Sequence, residues 1–334
     1  MYNDLSWSKI GLWQKIAGKH GGGADLDFYG KLLNIVGKDR VLRDEPLCLH
    51  TTLKIGGPAD FLVKPESEEE LGALLRLCKE ENMPRFLLGN GSNLLVSDAG
   101  YRGVVIKLWR PEEAVYVQEL NSDTDGLTTV RILAGTMLSR AAMAVANMGL
   151  QGFAFAAGIP GTLGGAVVMN AGAYGGEIKD CIVSARVMDS DGALTELSKD
   201  ALQLGYRTSI LQSEDLILLD ADFQFSSADK DTILEEIEDL NRRRREKQPL
   251  EYPSAGSTFK RPQGYFAGKL IMDAGLAGYR VGDAQVSAKH CGFVINCGKA
   301  SAADFYRLMQ DVTAKVKEKF GVTLEPEVRL LGEF

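Results

Sequence analysis

Apolar positions along the chain follow two rhythms, one helical and one extended, and the switch between them outlines its elements. The clearest helix runs over 67–80. Ser67 suits the N-cap and Glu70 the capping-box partner, Leu71, Leu74, Leu75 and Cys78 share one face, and Pro84 stops the run. The same spacing predicts helices over 27–36, 139–148, 230–247, 267–274 and 301–320, and a short one after Ser198. Gly149, Pro249 and Gly321 end three of these, and Asp304 completes a capping box with Ser301. Short apolar or alternating runs predict strands over 53–63, 86–88, 94–96, 103–108, 114–134, 182–188, 216–225, 281–286, 292–296 and 322–331. A turn at Gly56-Gly57-Pro58 interrupts the first, and 121–126 turns the fifth. The early order of strand, helix and strand describes a small α/β unit. Leu5, Trp7, Ile10, Leu12, Trp13 and Ile16 fit one amphipathic helix, broken by Gly21, Gly22 and Gly23, with no function assigned to it.

Composition narrows the class. The 334 residues are 45% hydrophobic and 25% charged, ordinary for a globular protein of two or three domains. A formal net charge of -7 disfavours a nucleic-acid partner. Five cysteines without a C-x-x-C read as free thiols in a reducing, cytoplasmic setting. Three histidines exclude a metal site built on several imidazoles, so no metal is expected. The uncharged stretch between Arg140 and Glu177 could pass for a membrane span, but Pro160 and its many glycines would leave backbone groups unsatisfied in lipid.

Two glycine-rich loops carry the first chemical signal. Gly89-Asn90-Gly91-Ser92-Asn93 follows a buried strand directly, where successive amides can form an anion-binding nest and Ser92 and Asn93 add side-chain donors. It lacks the third glycine of a Rossmann fingerprint, and no P-loop occurs. The second loop is Gly158-Ile159-Pro160-Gly161-Thr162-Leu163-Gly164-Gly165-Ala166, continuing through Asn170, Gly172, Tyr174, Gly175 and Gly176. Glycine-rich yet apolar, it suits close packing of backbone against a large flat ligand.

These loops, together with Leu49-His50-Thr51-Thr52, Ile55-Gly56-Gly57-Pro58-Ala59-Asp60, Gly205-Tyr206-Arg207-Thr208-Ser209, Ala255-Gly256-Ser257-Thr258-Phe259-Lys260 and Leu324-Glu325-Pro326-Glu327-Val328-Arg329, closely resemble the UDP-N-acetylenolpyruvoylglucosamine reductases, also called UDP-N-acetylmuramate dehydrogenases. The likeness covers residues 30–334. It implies a mixed α/β and α+β chain: an FAD-binding fold of the vanillyl-alcohol-oxidase type over 30–226, split near 108 into two subdomains, then a substrate domain over 227–334. Residues 1–29 are an N-terminal extension with no role assigned, without a counterpart through about Gly23. It also implies non-covalent FAD, held by Gly89, Asn90, Gly91, Ser92, Asn93, Gly158, Ile159, Gly161, Thr162, Gly164 and Gly165. NADPH would reduce the flavin, and a hydride would pass to the enolpyruvyl double bond of UDP-N-acetylglucosamine enolpyruvate. The 207–257 interval resembles the family's shorter form, without its extra substrate loop.

The reaction leaves an enolate-like anion that needs charge stabilisation and a proton. A guanidinium answers the first need by forked hydrogen bonding, and the family pattern places Arg207 there. Ser257, presented after Gly256, is the implied proton donor. A carboxylate in the mostly apolar last strand is uncommon unless paired or functional, and if protonated it could donate to the developing charge. Periodicity does not choose between Glu325 and Glu327; the resemblance implies Glu327. Tyr174, Lys247 and His290 are substrate-contact candidates, Lys247 toward the UDP phosphates, and Arg329 is a further phosphate candidate. The run Arg242 to Arg245 reads foremost as a solvated helix face. Another flavin oxidase of the same fold and a noncatalytic nucleotide-sugar-binding protein remain as rival readings.

Overall fold

The computed structural model describes residues 22–108, 117–122 and 126–334. A four-stranded sheet runs in the order Val41–Pro46, Pro58–Val63, Tyr101–Lys107, Arg85–Leu88. Its first contact is antiparallel and the other two are parallel. Parallel neighbours need a crossover, and the helix Glu68–Glu80 carries the chain from Pro58–Val63 to Arg85–Leu88. Ser67 Oγ accepts the Glu70 amide at 3.2 Å, and the buried face is Leu71, Leu74, Leu75 and Cys78.

The second sheet is antiparallel, in the order Leu194–Ser198, Ile182–Met188, Ile217–Ser227, Leu127–Leu133, Val117–Ser122. Side chains alternate across a strand. Val130, Ile132, Ala185, Val187, Ala221 and Phe223 therefore enter one core with the helix Leu138–Asn147. The intervening Arg131, Arg186, Asp220 and Asp222 share the other face. There Arg131 pairs with Asp222, and Arg186 pairs with Asp220 and with Glu68 of the first unit.

A third sheet, Ser254–Ser257, Phe293–Asn296, Ala284–Val286, Arg280–Val281, is backed by the helix Ala302–Phe320. That helix starts on the Ser301/Asp304 capping box and ends at Gly321 with φ 70°. Phe305, Leu308, Met309, Val312 and Val316 form its core, to which Leu53, Ile55 and Leu95 contribute from early in the chain. The last strand, Arg329–Leu331, pairs in parallel with Leu94–Val96, just after the first glycine loop. Asp98 closes the same junction by accepting the amides of Ala302 and Ala303 at 2.8 and 3.0 Å.

The structure departs from the sequence reading at several elements. Strand 53–63 begins only at Pro58, because residues 51–57 turn beneath the glycine loop, and Val41–Pro46 is an added strand. The glycine stretch is not all loop: Leu163–Val168 is helical, with Thr162 as its cap. The helix expected after Ser198 is absent; the strand Leu194–Ser198 precedes a set of turns. Ser254–Ser257 is a strand inside an expected loop, and strand 322–331 shrinks to Arg329–Leu331. The first helix extends back to Gly22. The candidate helix at Leu5 to Ile16, residues 114–116 and residues 123–125 of the 121–126 turn lie outside the described residues.

Candidate active site

The two glycine loops face each other. Asn90 Nδ2 donates to the Pro160 carbonyl at 2.5 Å. A Cβ on Gly89 would lie 2.6 Å from Thr162 Oγ1, and one on Gly161 would lie 3.5 Å from Ser92 Oγ. Gly91 adopts φ 60° and packs so tightly that a Cβ would sit 2.3 Å from the His50 carbonyl, so any side chain here is excluded twice. Among the described residues, the amides of Asn90, Gly91, Ser92 and Asn93 have no acceptor, nor do those of Gly161 and Thr162. Opposed sets of free amides form a nest for an anion. Gly164 is spent differently: its amide donates to Ala134 O at 2.8 Å, locking the short helix to the second sheet. Gly165 likewise donates to Thr162 Oγ1, and Ile159 to Ala156 O. The Asn93 side chain reaches the last strand, where Nδ2 donates to the Glu327 carbonyl at 3.1 Å.

That bond leads to the second cluster. Arg207 Nε donates to Glu327 Oε1 at 2.8 Å, and Nη2 reaches the Gly172 carbonyl at 3.4 Å. Arg207 holds φ 56°, a left-handed conformation that a non-glycine residue keeps only when its surroundings impose it. Gln212 imposes it by donating Nε2 to the carbonyls of Arg207 and Val168 at 3.0 and 2.8 Å. Arg329 Nη2 holds Gln212 Oε1 at 2.9 Å, so this arginine braces the Arg207 turn from the last strand. Burial pushes the Glu327 carboxyl above the usual range, and the Arg207 cation only partly offsets it.

Ser257 reaches the cluster through the backbone. Its neighbour Thr258 accepts the Glu327 amide at 2.9 Å, and Phe259 bridges Pro326. Gly256, at φ 75°, turns the strand so that Ser257 is exposed. Arg207 and Glu327 thus pair directly from distant segments, and Ser257 adjoins them through the backbone of Thr258. Glu325 is exposed and pairs with Lys260, which separates it from this group.

The substrate-contact candidates fare unequally. Tyr174 tips the hairpin Gly172–Ala173/Gly176–Glu177, 46% exposed, with φ 54°. Gly172 of that hairpin is the partner of Arg207. His290 is half-buried against Phe293 at 4.9 Å, its Nδ1 accepts the Gly292 amide, and burial lowers its pKa. Phe293 pairs with Ser257 across the sheet. Lys247 is exposed at the end of its helix; Arg244, one turn earlier, is half-buried against Gly158. Arg242 and Arg243 are tied to Asp239 on the solvated face. Asn170, named in the sequence only as part of the second loop, has no role assigned there. Fully buried at φ 41°, it donates Nδ2 to Glu177 and to the Gly205 carbonyl and accepts the Lys179 amide, fixing the Tyr174 hairpin to the Arg207 turn. A lone asparagine among glycines was its only sequence signal.

Residues 59–198 match the FAD binding domain family, and residues 248–331 match the C-terminal domain of UDP-N-acetylenolpyruvoylglucosamine reductase. With the facing glycine loops, they define an FAD-dependent oxidoreductase of the vanillyl-alcohol-oxidase type. UDP-N-acetylenolpyruvoylglucosamine reductase of Lachnoclostridium phytofermentans is 56% identical over 306 residues, 91% of this chain and 96% of that protein. The Clostridioides difficile reductase is 48% identical over 307 residues, 92% and 98% of the two chains. The crystal structure of the Thermus caldophilus enzyme matches at TM-score 0.70 and 35% identity, covering 87% of this chain and 98% of that one. The chain belongs to the UDP-N-acetylenolpyruvoylglucosamine reductase family. Its residues fit FAD: the free amides of the two loops suit a pyrophosphate, and the missing side chains at Gly89 and Gly91 leave backbone open to close approach.

Proposed function

We infer that this protein reduces the enolpyruvyl group of UDP-N-acetylglucosamine enolpyruvate to UDP-N-acetylmuramate, a step in peptidoglycan precursor synthesis, with NADPH as electron donor. The observation that carries the residue assignment is the half-buried Arg207–Glu327 pair at 2.8 Å, tethered through Asn93 to the flavin loop and set beside the Ser257 strand. FAD, which the Gly89–Asn93 and Gly158–Gly165 loops would hold, would supply hydride chemistry at the enolpyruvyl carbon distal to the ether oxygen, with NADPH as the source of electrons.

Arg207 meets the substrate carboxylate. Its Nη1 has no protein acceptor among the described residues, which leaves an N–H for the incoming oxygen. As negative charge builds on the carboxyl end, the guanidinium neutralises it. Glu327 enters protonated: the substrate carboxylate competes for Arg207 and adds a like charge, and both effects reinforce its burial. Its O–H then donates to the enolate-like oxygen. Ser257 delivers its hydroxyl proton to the ether-bearing carbon. Tyr174 and His290 flank this centre and contact the sugar nucleotide. Arg244 is the better phosphate contact than Lys247, because it is the desolvated cation of that helix.

We place the boundary of the substrate domain near residue 227 and the enzyme in the cytoplasm; among the described residues no helix is long and apolar enough to cross a membrane. The test is an anaerobic absorbance trace. The flavin band should bleach with NADPH and return with the enol ether. Bleaching without return would refute the substrate, and no band after added FAD would leave the nucleotide-sugar-binding alternative.

A further inference from the structure

A cavity of about 350 Å³ lies between the helix Leu138–Asn147 and the helix Lys230–Lys247, outside the Arg207–Glu327 cluster. This is the size range of small-ligand sites, about 300–1,000 Å³. Ala144 and Ala157 supply apolar surface, and Ser139, Arg140, Asn147 and Asn241 line it with polar groups. No carboxylate lines it. Arg140 is half-buried and has no ion-pair partner among the described residues, unlike Arg40, Arg131 or Arg186. At the margin, Asn241 and Arg244 both press on Gly158, where a Cβ would meet Arg244 Nη1 at 2.9 Å and Asn241 Oδ1 at 3.1 Å. The cavity therefore adjoins the second glycine loop, and with Arg244 at its margin it gathers two half-buried arginines that have no carboxylate partner among the described residues.

We propose that this cavity is a phosphate subsite for a nucleotide entering the reaction, with Arg140 as its cation and Ser139 and Asn241 as its hydrogen-bond partners. The proposal rests on the reductase reading, which supplies two phosphates of suitable chemistry: the ribose 2′-phosphate of NADPH and the diphosphate of the UDP-sugar. A guanidinium binds either through charge-assisted hydrogen bonds.

The FAD-loaded enzyme and its Arg140→Ala and Arg140→Lys variants are titrated calorimetrically with 2′-AMP and with UDP, and KM is measured for NADPH, NADH and the enol ether. Arg140→Ala should weaken one probe about tenfold, with Arg140→Lys restoring part of the loss. Weakening of 2′-AMP, with a raised KM for NADPH but not NADH, assigns the cofactor phosphate. Weakening of UDP, with a raised KM for the enol ether, assigns the diphosphate. Dissociation constants for both probes within twofold of the parent would overturn the subsite. The reductase reading is checked separately in the unaltered enzyme: a flavin that fails to bleach with saturating NADPH strikes that reading and not the subsite.

Discussion

Arg207 is held at φ 56° by Gln212, which Arg329 holds in turn, so the guanidinium is aimed before substrate arrives. Such a backbone costs about 1–3 kcal/mol and persists only where neighbours impose it. Removing one partner of a buried ion pair typically costs about 3–5 kcal/mol, so Arg207→Ala should lower stability as well as activity. Ser257 is exposed and unburdened, so Ser257→Ala should fold normally and leave flavin reduction by NADPH intact. Flavin reoxidation by the enol ether should slow by about 10²–10⁴, the usual reach of a positioned acid, as stopped-flow absorbance would show. Equal loss in both half-reactions would remove the proton-donor role. Glu327 has its pKa raised chiefly by burial. On the proposed role the protonated acid is the working form, so reoxidation should fall as pH rises through that raised pKa, and Glu327→Gln should lose this limb. The same shift has a stability consequence: the folded state keeps a proton that the unfolded state has released, so stability declines as pH rises across that window.

At the scale of elements, the first glycine loop depends on backbone and not on side chains. Gly91→Ala would place a Cβ 2.3 Å from the His50 carbonyl at φ 60°. Weaker FAD retention by at least about tenfold is expected, together with a loss of about 1–3 kcal/mol in unfolding free energy. Fluorescence of released flavin reads the first and chemical denaturation the second. The helix Ala302–Phe320 begins under Asp98, a residue some 200 positions earlier whose carboxylate accepts two of its first amides. Asp98→Ala should cost about 1 kcal/mol, as loss of a helix cap does, seen as a lower denaturation midpoint with unchanged slope. Ser67, Ser301 with Asp304, and Gly321 were legible as helix signals because capping is local chemistry. Ser254–Ser257 was not, since its pairing with Phe293–Asn296 is made across nearly forty residues and its own sequence reads as a turn.

For the molecule as a whole, the C-terminal core is not self-contained. Leu53, Ile55 and Leu95 are buried within it, and among the described residues its last strand pairs with Leu94–Val96 alone. Burying an aliphatic side chain is worth about 1.5–3 kcal/mol, so losing three of them removes much of a small domain's margin. A fragment of residues 227–334 should therefore show no cooperative thermal transition, although a family boundary at 248 suggests a separate unit. The same stitching shapes the candidate site, because the pairing of Arg329–Leu331 with Leu94–Val96 accompanies the bond from the Asn93 side chain to the Glu327 carbonyl.

By itself, the sequence determined what neighbours along the chain decide: helix starts and stops, the alternation that sends Val130, Ile132, Phe223 inward, and the glycine loops whose conformations exclude side chains. Through its motifs it also put forward Arg207, Ser257 and Glu327 as candidates. Only the tertiary structure decided the partners. Arg329 braces Gln212, Asn93 holds the Glu327 carbonyl, and Arg244 is desolvated while Lys247 stays in water. Each outcome turns on residues far apart in the chain coming within about 3 Å, and on how much water that approach excludes. Hydrogen-bond choice and desolvation depend on those two quantities, and neither is a property of local sequence.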